Sequence, residues 1–151
     1  MRARVTRRRL AASFRRLARD EHGAAVVEFA IVVPMLLILV MGIIDFGRMY
    51  AVAASLQAAV RDGARQGAMS SDLTDATQLG AVKTRVVNAF QPIGGSALTT
   101  ASVSVTVDAS QNVVVTVSNY TYRPITPIAT LIGMGTVTLT RTATFRWERS
   151  L

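Results

Sequence analysis

Ala24 to Ile44 is a run of 21 residues holding one ionisable side chain, Glu28, and one proline, Pro34. Coiled into a helix that rises about 1.5 Å per residue, it would measure roughly 30 Å, the thickness of a bilayer's hydrocarbon core. The helical pattern continues beyond it. Over residues 45–68, Met49, Val52, Ala53, Leu56, Val60, Gly63 and Gly67 recur at spacings of three and four, while Arg61, Asp62 and Arg65 fall elsewhere on the wheel. No proline or loop cluster separates Ile44 from Gly67. The pattern predicts one helix from about Ala24 to Ala68, roughly 65 Å long, its lower half in lipid and its upper half a stalk. Ala59, Gly63 and Gly67, four residues apart, leave room for a close neighbour. That neighbour is the chain's own globular part, a second subunit, or both.

Ser70, Ser71 and Asp72 interrupt the pattern and offer N-caps for a second helix over 72–90, with Asp75 in its first turn. Leu79, Val82, Val86, Ala89 and Phe90 give it an apolar face, and Pro92 with Gly94 and Gly95 stops it. The period then changes to two. Val103, Val105 and Val107 alternate with Ser102, Ser104 and Thr106, residues 108–112 read as a turn, and Val113, Val115 and Val117 resume the alternation as a β-hairpin. A loop with Tyr120, Tyr122, Pro124 and Pro127 follows. The last strand, from Val137 to about Glu148, sets Val137, Leu139, Ala143, Phe145 and Trp147 on one face, interrupted by Arg141, and threonines on the other. The fold class expected is therefore α+β: a long amino-terminal transmembrane helix extending into a stalk, capped by a small head of one helix and a three-stranded antiparallel sheet. The expected divisions are a basic leader over 1–23, the span over 24–44, the stalk over 45–69 and the head over 70–151.

Charge changes the picture at the amino terminus. Residues 1–23 hold eight arginines against Asp20 and Glu21, which is +6 of the chain's net +8. Such an arm beside a span is costly to translocate and is attracted to anionic lipid, so it predicts the amino terminus in the cytoplasm and the carboxyl terminus outside. The head is nearly neutral, and no nucleic acid is expected as a partner. Asp45, Phe46, Gly47 and Arg48 fall where the span leaves the membrane. Phe46 and Tyr50 suit an interfacial aromatic position, and Asp45 and Arg48 lie three apart, within pairing distance on a helix. There is no cysteine, hence no disulfide and no thiolate metal site, and the one histidine, His22, is in the leader. No catalytic set, phosphate-binding loop or metal cluster can be assembled, so neither an enzyme nor a cofactor nor a small-molecule substrate is expected. Trp147, Phe145 and the tyrosines read as packing residues.

The order of features is informative once the orientation is set: a basic leader, Gly23, then Ala24 through Phe29, then the apolar run. An ordinary secretory signal places its small residues after the apolar region. Here the arrangement resembles a prepilin-type signal, a short basic leader ending in glycine with glutamate five residues on. More narrowly, residues 23–68 resemble the amino-terminal region of TadE-like proteins, minor pilins of tight-adherence (Tad, type IVc) pili. The matching elements are Gly23, Glu28-Phe29, Pro34, Asp45-Phe46-Gly47-Arg48 and the Ala/Arg/Gly-rich helix from Ala58 to Ala68. The resemblance implies cleavage by a prepilin peptidase between Gly23 and Ala24. It also implies pairing of the new Ala24 amine with Glu28 of a neighbouring subunit, a helix break at Pro34, and other pilin-like subunits and Tad assembly machinery as partners. The chain would sit in the cytoplasmic (inner) membrane, single-pass, and from there take part in pilus assembly, surface adhesion or secretion.

Two other readings make different predictions. An uncleaved, membrane-anchored extracytoplasmic binding or sensing domain would keep its leader and tolerate loss of Glu28. A conventional secreted protein would be cut after Ala51-Val52-Ala53, although that site lies nine residues beyond Ile44 with Asp45 and Arg48 between.

Overall fold

The computed structural model describes residues 21–92, 96–127, 129, 133 and 135–147. The leader's first 20 residues, the glycines expected to stop the second helix and the end of the last strand at Glu148 lie outside the described residues. The chain divides into two compact units, Met1–Met41 and Gly42–Leu151.

Helix α1 runs from Glu21 to Ala68 and includes Pro34. It starts three residues before Ala24 and ends where the periodicity does. Its apolar stretch is long enough to cross a membrane, and none of its most apolar window is buried within the fold.

The second unit is built around the other end of α1. Val52, Leu56, Ala59, Val60 and Ala64 are fully buried and share one core with Val82 and Val86 of the second helix and with Val113, Val115 and Val117 of the sheet. The glycines explain how the elements come so close. A Cβ on Gly63 would lie 2.2 Å from Val86 Cγ2, and one on Gly67 would lie 2.8 Å from Val113 Cγ1. The small-residue stripe therefore packs against the chain's own domain, which decides between its two possible neighbours for these positions.

Helix α2 spans Ala76–Ala89, shorter than the expected 72–90. Asp75 is its N-cap rather than a first-turn residue, accepting the Thr77 N–H at 2.9 Å. Asp72 is occupied elsewhere, accepting the Thr74 N–H at 2.7 Å and its hydroxyl at 2.6 Å. Arg85 reaches back to Asp62 of α1 at 2.6 Å, an exposed pair that water and salt screen, so it adds little to stability.

Strands β1 (Val103–Val107), β2 (Asn112–Tyr122) and β3 (Val137–Arg146) form an antiparallel sheet in the order β1-β2-β3. The expected loop at Tyr120 and Tyr122 is instead the second half of β2. A bulge between Val117 and Tyr120, with Asn119 at φ 57°, inserts one residue and reverses the alternation. Val113, Val115 and Val117 face the core before it; Tyr120 and Tyr122 face the core after it. Tyr120 then packs edge-on against Phe90, ring centroids 5.1 Å apart, and donates its hydroxyl to Ser96 O at 2.9 Å. On β3, Leu139 and Ala143 are buried as expected, but Phe145, at the hairpin end of the sheet, is 40% exposed. Trp147 donates its indole N–H to Ser70 O at 2.8 Å, just beyond the end of α1. The threonines lie on the opposite face, where Thr116 and Thr142 bond across the strands at 3.0 Å.

The hairpin turn hangs on Asp108. Its carboxylate accepts the Ser110 N–H at 2.8 Å, the Asn112 N–H at 2.9 Å and the Asn112 side-chain amide at 2.9 Å. The Asn112 side chain, then the Asn112 N–H, hold its pKa below the ordinary carboxylate value; burial opposes them, and the Ser110 N–H adds the smallest share. A depressed folded-state pKa contributes stability above the unfolded-state pKa of about 4 and loses it as pH falls through the folded value. Asp108→Asn should therefore melt below wild type at pH 7, the gap closing as pH falls below about 4. Thermal unfolding of the two full chains in detergent at both pH values measures it; a gap independent of pH would show that charge is irrelevant to the turn.

Candidate functional site

Every residue singled out for processing, assembly or the membrane exit lies on α1. Gly23 and Ala24 are both inside the helix, Gly23 half-buried and Ala24 exposed. Glu28 is exposed and makes no ion pair or hydrogen bond among the described residues. Phe29 beside it is 69% exposed, and Ile31, Met35 and Leu36 continue the uncovered apolar surface. Pro34 sits within the helix without ending it, leaving one i−4 carbonyl short of its usual donor. Residues 24–41 thus present an uncovered apolar helix surface with one acid, Glu28, which needs lipid or other helices around it to be stable in place.

Sequence periodicity missed what happens at the exit. Asp45 was read as an interfacial residue within reach of Arg48; in the structure it also holds a segment some 80 positions away. Its Oδ1 accepts the Ile125 N–H at 3.1 Å and the Thr126 N–H at 3.4 Å, its Oδ2 accepts the Thr126 hydroxyl, and its main-chain carbonyl accepts the Tyr122 hydroxyl at 3.2 Å. Asp45 lies one residue past the apolar run. Burial works to raise its pKa, but the hydroxyl of Thr126, the two backbone donors and the charge of Arg48 outweigh that and hold the carboxyl below its ordinary value. The sequence signal for this tie is the pair of donors Tyr122 and Thr126 on either side of Pro124, which has no periodicity to announce it. Phe46 and Tyr50 project outward, 65% and 71% exposed, as an interfacial position requires. Gly47 is exposed and has no neighbour that would meet a Cβ. Among the described residues no group of histidines or carboxylates could hold a metal ion.

No curated protein and no solved structure matches the chain. Residues 23–65 do match a family model, that of the TadE-like proteins. The matched stretch begins at Gly23 and takes in Glu28-Phe29, Pro34 and Asp45-Phe46-Gly47-Arg48. The similarity to the TadE-like family lies in the amino-terminal helix, over residues 23–65.

Proposed function

We propose that this chain is a non-enzymatic, pilin-like membrane subunit that is cut between Gly23 and Ala24 by a prepilin peptidase and then takes part in assembling a Tad-type pilus. The observation that carries the reading is the family match over 23–65 together with a lone acid on an uncovered apolar helix. Cleavage would create an α-amine on Ala24, one helical turn and about 6 Å along the axis from Glu28. Two opposite charges at membrane depth are each costly alone and are stabilised by pairing. On one helix they cannot share a partner's geometry as well as they can across two packed helices. Assembly from the cytoplasmic membrane, amino terminus inside, follows from the arginine-rich leader.

The decisive measurement is the mature amino terminus, determined by mass spectrometry on protein from cells that possess the peptidase. Ala24 as first residue is the expected result. An intact Met1 would sink the reading in favour of an uncleaved anchored domain, and a start at Ala54 would indicate a conventional signal peptide.

A further inference from the structure

We infer that the segment Pro124–Pro127 is a second lipid contact, docked on the bilayer's acyl–headgroup boundary beside the point where α1 emerges; this rests on the reading of residues 24–44 as the span. The argument starts from backbone chemistry. A loop can approach hydrocarbon only if its N–H groups are satisfied without water. Pro124 and Pro127 have no N–H. The two donors between them, on Ile125 and Thr126, are both accepted by Asp45 Oδ1, and the Thr126 hydroxyl is accepted by Asp45 Oδ2. Over these four residues no main-chain donor is left for water.

The side chains agree with the backbone. Ile125, between the prolines, is 57% exposed; a single exposed aliphatic residue is common on protein surfaces, so its weight lies in where it sits. It is tied to the residue that directly follows Ile44, and Ile43, Ile44, Phe46 and Ile125 are all exposed. Through Asp45 the segment is therefore hydrogen-bonded to the end of the apolar run. Arg123, exposed next to Pro124, places a cation where anionic headgroups lie. A bilayer matches all of these at once: hydrocarbon for Ile125 and Phe46, headgroups for Arg123, and no demand for backbone donors.

The chain's lack of cysteine makes the test clean. Nitroxide labels would be placed singly by Ile125→Cys, Leu37→Cys in the apolar run and Ala109→Cys in the exposed hairpin turn, in full chains reconstituted in phosphatidylcholine–phosphatidylglycerol vesicles. Collision with oxygen, which concentrates in lipid, is compared with collision with a water-soluble nickel chelate. The label at 125 is expected to favour oxygen over nickel several-fold more than the label at 109 does, in the direction of the label at 37. A label at 125 that matches 109 while 37 reports lipid would overturn the inference and leave the span intact. If 37 also matches 109, the span reading itself fails and takes the inference with it. Exclusion of both reagents at 125, with spin–spin broadening that disappears on dilution with unlabelled chain, would assign the surface to a second copy instead.

Discussion

Glu28→Ala is expected to abolish incorporation into a multi-subunit assembly while leaving membrane insertion intact or improved. The two effects have opposite signs because they arise in different states. In the single inserted chain Glu28 has no partner among the described residues and costs on the order of 2–3 kcal/mol at membrane depth, so its removal helps insertion. In an assembly where it meets a neighbour's Ala24 amine, removal strands the amine. Breaking a buried pair in that way costs about 3–5 kcal/mol, roughly two to four orders of magnitude in docking. Glu28→Gln should behave the same, since an amide cannot neutralise an ammonium. A cleavage-blocked Gly23 variant never forms the amine, so combining it with Glu28→Ala should add nothing further, the non-additivity expected of two halves of one interaction. Membrane fractionation and recovery of the subunit in sheared surface filaments are the two readouts. Normal recovery of Glu28→Ala would mean that the acid merely reaches up to the cytoplasmic interface, five residues inside the run.

How much of this was legible before the structure depended on whether the cause was local. The continuous helix through Ala68, the hairpin at 108–112 and the third strand all follow from periodicity, and the structure has them. The start of α2 was misplaced because Ser70, Ser71, Asp72 and Asp75 all have capping chemistry, and choosing Asp75 requires knowing that Asp72 is engaged by Thr74. The second half of β2 read as loop because Asn119, at positive φ, adds a residue and moves the core-facing set from odd to even positions. A period-two pattern cannot survive that shift, although Tyr120 and Tyr122 individually suit a strand. Of the candidate residues, Glu28, Pro34 and residues 45–48 are placed on one helix by the period, and the structure has them there; the roles given to them rest on the resemblance to the TadE-like family. The tie from Asp45 to Ile125 and Thr126 was not, since a contact across some 80 residues leaves no spacing to recognise.

Gly63→Ala should lower the stability of the folded unit, although alanine is the better helix former by about 1 kcal/mol. The added methyl would sit 2.2 Å from Val86 Cγ2, inside contact distance, and Val86 is fully buried and β-branched, with little freedom to turn aside. Overpacking of this kind costs about 1–3 kcal/mol, occasionally more, and here the clash should outweigh the propensity gain. Gly63→Val should be worse, and for a domain of this size each kcal/mol moves the melting temperature by roughly 4–8 °C. Gly80→Ala is the matched control. It is exposed within α2 with nothing near the new methyl, and it should gain up to about 1 kcal/mol. Thermal unfolding of detergent-solubilised monomer separates two meanings of the small-residue stripe. If Gly63 served a neighbouring subunit instead, alanine there would leave the monomer as stable as before, or more so, and impair only assembly. A second substitution locates the clash: Val86→Ala deletes Cγ2, so Gly63→Ala should be better tolerated in that background than in the parent chain. An equal penalty in both backgrounds would mean that the helices are held apart by something other than Val86.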